Sequence, residues 1–123
     1  MDERYLKFFE LFNEREFYEC HEVLEDLWME TAGKERPYYQ GLIQTATAFF
    51  HLENGNWDGS RRLFQTGLDY LEPFADEYIG FDLGRYRRTC REWLDQLERK
   101  HGGEKLEIST DCDDFPILDA PSP

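Results

Sequence analysis

The sequence of 123 residues has few basic residues and no long apolar run. Its 14 Lys and Arg are outnumbered by 27 Asp and Glu, so the formal net charge is -13. A surface of that charge repels the phosphates of nucleic acids and anionic lipid head groups. No segment approaches the ~18 consecutive apolar residues of a membrane-crossing helix, and the start, MDERYLKFF, lacks the features of a signal peptide. We therefore expect neither nucleic acid nor a membrane as a partner.

Cysteine is also scarce. The three cysteines, Cys20, Cys90 and Cys112, are odd in number and contain no CxxC spacing. Such cysteines are typical of free thiols in a reducing compartment. The expected location is the cytoplasm.

Apolar residues recur at helical spacing in five segments, which predicts an all-α protein. We expect one compact bundle of about five helices over residues 1–103 and an irregular C-terminal tail over residues 104–123, which wraps the bundle or is partly mobile. The predicted helices run from Asp2 to about Asn13, from Phe17 to about Thr31, from Pro37 to Leu52, from the cap Asn56 to before Pro73, and from the cap Asp82 to Gly102.

The third predicted helix lacks charge altogether. Between Pro37 and Leu52 there is no Asp, Glu, Lys or Arg, although a third of the whole sequence is charged. A helix that is apolar nearly all round is surrounded by other helices, and this one is too short and too polar to span a membrane. We expect it to be the central element of the bundle.

Polar residues on the second and third predicted helices indicate a candidate site. His21 and Glu25 are four residues apart, so they point the same way from a helical stripe that is expected to face the core. Gln40, Gln44 and His51 lie near one stripe of the third helix, because intervals of four, seven and eleven residues return to nearly the same angle. The expected result is a buried His/Glu/Gln cluster between the two helices.

The helical rise limits which of these residues can hold one ion. Gln44 and His51 are about 10 Å apart along the axis at ~1.5 Å per residue, whereas a metal bond to nitrogen or oxygen measures ~2 Å. A compact site would take His21, Glu25 and either Gln44 or His51. With His51 it is a 2-His-1-carboxylate set suited to Zn, Mn or Fe, with positions open for water. Glu22 or Gln44 would then position that water as the catalytic group.

A structural role explains the same residues without a metal. A buried His that donates to a Glu, with Gln amides completing the network, satisfies polar groups in a helical core and fixes one packing arrangement. The HExxE pattern also lacks the second His of the HExxH zinc helix. Both interpretations predict the cluster, and they differ in whether it binds an ion.

Two segments resemble a known family. FNEREFYECHEVLEDLW, residues 12–28, and YQGLIQTATAFFHLENGNWDGSRRLF, residues 39–64, are similar to the domain of unknown function number 309 family over about residues 5–100. The resemblance implies an all-α bundle of about five helices and carries the general label of predicted metal-dependent hydrolase. The family's shared polar positions correspond to His21, Glu22, Glu25, Gln40, Gln44, His51 and Asn54.

Two functions therefore compete. In the first, His21, Glu25 and His51 hold a divalent ion, Glu22 or Gln44 positions the attacking water, and the chain hydrolyses an unidentified small molecule. In the second, the cluster only shapes the core of a non-catalytic module that binds another protein, because the helical hairpin over residues 37–72 resembles a single tetratricopeptide unit. Homodimerisation through an aromatic face is compatible with either.

The acidic surface predicts a response to salt. Because the acids are spread along the chain and Arg outnumbers Lys, we interpret the composition as salt-adapted. Raising the ionic strength from ~0.1 M to ~1 M shortens the Debye length from ~10 Å to ~3 Å and weakens the self-repulsion. We expect the midpoint of urea unfolding to rise between 0.1 M and 2 M KCl. An unchanged or lower midpoint would contradict salt adaptation.

Overall fold

The computed structural model describes residues 1–122, and its all-α architecture confirms the predicted fold class. Five α-helices, one two-stranded hairpin and one 3₁₀ turn follow each other along the chain. In order they are α1 (Glu3–Asn13), α2 (Phe17–Glu30), α3 (Glu35–Glu53), α4 (Trp57–Leu71), β1 (Glu77–Tyr78), β2 (Phe81–Asp82), α5 (Leu83–His101) and the 3₁₀ turn Cys112–Asp114.

The helix boundaries arise from residues that satisfy the free backbone groups at helix ends. The side chain of Asn56 accepts the N–H of Gly59 at the start of α4, and Asp82 accepts the N–H of Arg85 at the start of α5. At the end of α3, Gly55 has a φ of +70° and its N–H donates to the carbonyl of Leu52. The predicted turn between α3 and α4 and both predicted caps are confirmed.

The short hairpin β1–β2 was not predicted from the sequence. Its strands pair antiparallel through Glu77 with Asp82 and Tyr78 with Phe81. The two turn residues, Ile79 and Gly80, have φ values of +44° and +71°. A β-branched residue rarely adopts a positive φ, so Ile79 gives no turn signal. Tyr5 compensates by donating its buried hydroxyl to the Ile79 carbonyl at 3.0 Å.

The central helix α3 packs most closely against α4, where glycines let the two backbones approach. A Cβ at Gly41 would lie 2.5 Å from Leu71 Cγ, and a Cβ at Gly67 would lie 2.7 Å from Thr45 Cγ2 and 3.2 Å from the Gly41 carbonyl oxygen. Thr45 is fully buried there and accepts a 2.7 Å hydrogen bond from the Tyr86 hydroxyl of α5. The contact joins three helices.

Aromatic rings fill the core around α3 and extend it to the C-terminal tail. Phe49 is fully buried, and its ring contacts aromatic rings from α1, α2, α4, α5 and the tail, namely Phe12, Phe17, Phe64, Trp93 and Phe115. Large aromatic side chains contribute much of the apolar area of such a core.

The irregular tail wraps the bundle and is held to the α1–α2 connection. Asn13 accepts the N–H of Leu118 at 2.7 Å and donates to its carbonyl at 2.8 Å. The guanidinium of Arg15, whose φ is +68°, donates to the carbonyls of Phe115 and Pro116 at 2.8 Å each. Because Phe115 and Leu118 are buried, the tail contributes to the same core as the helices.

No helix within residues 1–122 combines the length and the apolar character needed to cross a membrane.

The close contact of α3 with α4 predicts a large effect of one methyl group. We expect Gly67→Ala to lower the free energy of unfolding by about 1–3 kcal/mol, because the new Cβ would overlap Thr45 and force the helices apart. Urea denaturation measures this change. The control is Thr66→Ala, an adjacent and exposed position on α4, for which we expect a change within about 0.5 kcal/mol. Equal effects at the two positions would contradict the interpretation.

Candidate functional site

The side of α3 that faces solvent carries a row of uncharged polar residues, which we call the outer strip: Gln40, Gln44, Thr47 and His51. All four are half-buried, whereas most other residues of α3 are buried. Helices α2 and α4 flank the strip. At one end, Trp28 of α2 and Tyr70 of α4 line a pocket of about 270 Å³ together with Gln40. We call the face of the bundle formed by the strip and the adjoining sides of α2 and α4 the outer groove; the pocket lies at its Gln40 end.

His21 lies on the α2 wall with its ring held in one orientation. Its Nδ1 is 2.6 Å from the Tyr18 carbonyl oxygen. A carbonyl only accepts hydrogen bonds, so Nδ1 of the neutral ring carries the proton and Nε2 keeps its lone pair. Nε2 lies 3.8 Å from Glu25 Oε2. The structure thus brings together a nitrogen lone pair and a carboxylate oxygen, and the backbone bond that orients the ring is of the kind that metal-ligating histidines commonly make.

The cluster is not buried, which corrects the expectation from the sequence. The His21 side chain is 21% exposed, that of Glu25 is 48% exposed, and Glu22 is exposed. The core stripe of α2 is occupied instead by Cys20 and Leu24 with their apolar neighbours. His21 follows Cys20 and is turned about 100° from it, so it lies at the edge of the apolar stripe.

His51 is separate from His21. The rings of Tyr18 and Phe50 lie between them. The distance between ring centroids is 5.1 Å for His21 and Tyr18, 5.8 Å for Tyr18 and Phe50, and 5.9 Å for Phe50 and His51. Nδ1 of His51 is 3.3 Å from Asn56 Nδ2. Because Asn56 uses its oxygen to cap α4, its amide donates to His51, which therefore carries its proton on Nε2.

Contacts between α2 and α3 place Gln44 at the level of the His21–Glu25 pair. At one end of the α2–α3 interface Tyr18 packs on Phe50, and at the other end the Arg36 guanidinium lies 4.0 Å from the Trp28 ring centroid. In this antiparallel register, positions near 41 to 45 of α3 lie level with positions 21 to 25 of α2, while His51 is about two turns away. Gln44 Oε1 is buried and has no hydrogen-bond partner in the described part of the chain.

We find one group of at least three His, Cys, Asp or Glu side chains within residues 1–122 whose ligand atoms are close enough to share an ion. This group does not include the predicted site residues. It comprises Asp111, Cys112 and Asp113 of the 3₁₀ turn. Asp111 there already caps the turn by accepting the N–H of Asp113 at 2.9 Å, so turn geometry explains the group. At the predicted site the structure brings together His21 and Glu25, and it does not add His51 to them.

The pocket at the end of the outer groove was missed by the sequence analysis. Arg36 stacks on Trp28 and donates to the carbonyls of Trp28 and Thr31, which fixes the α2–α3 connection beside the pocket. Tyr70, on the opposite wall, is 42% exposed. The sequence feature that could have indicated the pocket is Tyr70 itself, an aromatic residue on the polar side of the amphipathic helix α4.

The fold and the groove define a small helical bundle with a His/Glu pair on one wall of an uncharged groove. The model of the family described as Domain of unknown function (DUF309) matches residues 5–63, from α1 into α4. Over these residues, just under half of its length, the chain is similar to this family.

Two relatives are themselves uncharacterised. The protein named "Uncharacterized protein YpuF" of Bacillus subtilis (strain 168) is 37% identical over 87 residues, which cover 68% of this chain and 50% of that protein. A protein named "Uncharacterized protein" of Aquifex aeolicus (strain VF5) is 30% identical over 87 residues, which cover 70% of this chain and 26% of that protein. The chain thus matches half or less of the length of either relative.

The hydrogen bonds of the two histidines predict opposite tautomers. In the neutral ring we expect the proton of His21 on Nδ1 and that of His51 on Nε2, because the former donates to a carbonyl and the latter accepts from an amide. Long-range proton–nitrogen correlation NMR distinguishes the two forms. The same tautomer at both positions would contradict this assignment, and Asn56→Ala serves as a control that should affect only His51.

Proposed function

We propose that the chain is a metal-dependent hydrolase that holds a divalent ion at His21 and Glu25. The observation that carries the proposal is the 3.8 Å separation of His21 Nε2 from Glu25 Oε2, with Nδ1 engaged by the Tyr18 carbonyl, so that Nε2 has the lone pair in the neutral ring. The family resemblance supports it. Imidazole nitrogen and carboxylate oxygen together suit Zn, Mn or Fe.

The residues of the outer groove fit such an ion as a partial set of ligands. His21 and Glu25 supply two donor atoms, and the half-exposed position of Glu25 leaves room for water and for a substrate. A bound ion of this kind supplies Lewis acidity and an activated water. His51, held by Asn56 on the far side of Phe50, is not part of this proposed ligand set.

The role of positioning the attacking water falls to Gln44 rather than to Glu22 in this proposal. Gln44 lies on the adjacent helix level with the pair, and its Oε1 has no hydrogen-bond partner within residues 1–122; a rotation of its side chain would present this acceptor to a water at the site. Glu22 is exposed on α2, and one residue along a helix turns it about 100° away from His21. Glu22 remains the alternative where a general base is needed.

Metal content tests the proposal. We expect untagged protein from metal-replete medium to contain about one Zn, Mn or Fe per chain, and His21→Ala to weaken binding at least about tenfold, because it removes the only nitrogen ligand. The matched control His101→Ala, at the exposed end of α5, should keep the ion. His51→Ala should also keep it. Elemental analysis and calorimetric titration measure these changes, and circular dichroism checks the fold.

Turnover is measured with p-nitrophenyl acetate and p-nitrophenyl phosphate. We expect hydrolysis of at least one of them to require the added ion and to fall in His21→Ala and in Gln44→Leu. A metal content well below one ion per chain that is the same in His21→Ala would overturn the proposal.

The second candidate is a non-catalytic protein-interaction module located in the cytoplasm. The observation that favours it is the outer strip, an uncharged floor between two helices of a chain whose net charge is -13. Aromatic side chains border this floor, among them Tyr18, which is 55% exposed, and Tyr70. A contiguous surface of this kind is typical of interfaces.

Capture of partners from native lysate separates the two candidates. The module predicts a partner that is lost with Tyr70→Ala and kept with His21→Ala, whereas the hydrolase predicts that His21→Ala removes metal and turnover. Capture unaffected by Tyr70→Ala would count against the module.

A further inference from the structure

The turn between α3 and α4 contains an asparagine that is followed by a glycine. The chain has three asparagines, and Asn54 is the one that precedes a glycine, Gly55. The side-chain amide of an asparagine can react with the backbone nitrogen of the next residue to form a cyclic imide, a succinimide. Glycine has no Cβ to hinder this attack. The end of α3 therefore contains the groups for a modification of the chain by itself.

The structure leaves these groups open to solvent. Asn54 and Gly55 are both exposed, and a Cβ placed on Gly55 would meet no other atom of residues 1–122 within 4 Å. Gly55 has a φ of +70° and lies outside both helices. Water and hydroxide therefore have access to the turn.

Hydrogen bonds engage both reacting groups in the closed turn. The side-chain amide of Asn54 donates to the Phe50 carbonyl at 2.8 Å. The backbone N–H of Gly55, which contains the attacking nitrogen, donates to the Leu52 carbonyl at 3.1 Å. The succinimide can form only after these bonds break, so folding slows the reaction.

The opening that frees both groups is local. The rest of the cap at the end of α3 consists of the Asn56 N–H, which donates to the His51 carbonyl at 2.8 Å, and the Asn54 N–H, which donates to the Phe50 carbonyl at 3.3 Å. Helix ends open at a much lower free-energy cost than the whole fold. The last turn of α3 can thus open while the core stays packed.

The other two asparagines are poorer candidates. Asn13 uses both side-chain atoms to hold the backbone of Leu118. Asn56 uses its side-chain oxygen to cap α4 and is followed by the large Trp57.

An aspartate before a glycine can form the same imide, and Asp58 precedes Gly59. This pair, however, lies within the first turn of α4. The hydrogen bond from Arg61 lowers the pKa of the Asp58 carboxyl, and an ionised carboxylate is a weak electrophile. Asn54 is therefore the favoured position.

We propose that Asn54 is a self-modification site, which deamidates to aspartate and isoaspartate when the last turn of α3 opens. Hydroxide removes the proton of the Gly55 N–H, and the nitrogen attacks Asn54 Cγ. The bond from Cγ to the side-chain nitrogen breaks, and ammonia leaves after taking a proton from water. Water then cleaves one of the two C–N bonds of the imide: cleavage at Cγ gives aspartate, and cleavage at the backbone carbonyl gives isoaspartate. The reaction consumes only water, and it depends on neither proposed function.

Either product changes the turn. A new carboxylate at position 54 lies at the negative end of the α3 dipole and next to Glu53. The aspartate also lacks the N–H that donates to the Phe50 carbonyl, and isoaspartate adds a methylene group to the backbone of the turn. Because this turn joins α3 to α4, deamidation weakens the connection between the two helices.

Mass spectrometry of the full chain tests the proposal. The protein is incubated at mildly alkaline pH, once folded and once in guanidinium chloride above its unfolding midpoint, and the mass gain of an amide-to-acid conversion is followed. Peptide mapping with isoaspartyl methyltransferase locates the product. We expect Asn54 to be the main site in both samples and the folded chain to react at least about tenfold more slowly. The control Asn54→Gln closes a larger ring slowly and should lose most of the mass gain.

Hydrogen exchange tests whether opening of the helix end controls the rate. The same opening exposes the Gly55 N–H to exchange and to reaction. The factor by which folding slows deamidation should therefore equal the exchange protection of this N–H within about threefold.

The variant Asn54→Asp reproduces one product and tests the effect on the turn. We expect its urea midpoint at low salt to be lower than that of Asn54→Ala, which removes the same side-chain donor without adding a charge. A midpoint equal to or above that of Asn54→Ala would contradict the stated effect of the new carboxylate.

Three outcomes would overturn the inference. One is a mass gain located mainly at Asn13, Asn56 or Asp58, and another is a gain that Asn54→Gln leaves unchanged. The third is a folded chain that stays unmodified for longer than its Gly55 exchange protection allows. Equal rates in the folded and unfolded chains would refute control by the helix end.

Discussion

The contact between α3 and α4 at Gly41 and Gly67 is the constraint on which the rest of the structure depends. It leaves no space for a Cβ on either helix, and it places Thr45 where the Tyr86 hydroxyl of α5 reaches it. With α4 this close on one side and α2 on another, α3 has only a narrow face toward solvent. The outer groove is the consequence of that geometry, since its floor is the part of α3 that neither neighbour covers.

The fold was predictable because its strongest signals are local. Helical periodicity, the caps Asn56 and Asp82, and the uncharged segment from Pro37 to Leu52 indicated five helices with a central third one, and all five are present. The hairpin was missed because its turn uses Ile79 at a positive φ, a conformation that a tertiary contact with Tyr5 supports. A local sequence pattern does not indicate such a tertiary contact.

The sequence predicted correctly only the part of the candidate site that lies on a single helix. The spacing of four residues correctly indicated that His21 and Glu25 lie side by side. Their burial was overestimated, because the buried stripe of α2 is narrower than the helical spacing of its apolar residues suggested. The separation of His51 depends on the rings of Tyr18 and Phe50, which come from two helices, and periodicity within one helix does not give the register between helices.

The turn at Gly80 brings the two ends of the described chain to one place. Met1 Cε and Pro121 Cβ both lie within 3.3 Å of the point that a Cβ at Gly80 would occupy. Residues near the two ends are thus neighbours in space although they are about 120 positions apart. The hairpin turn thus couples two distant segments of the chain, so that a larger side chain at position 80 would displace both of them.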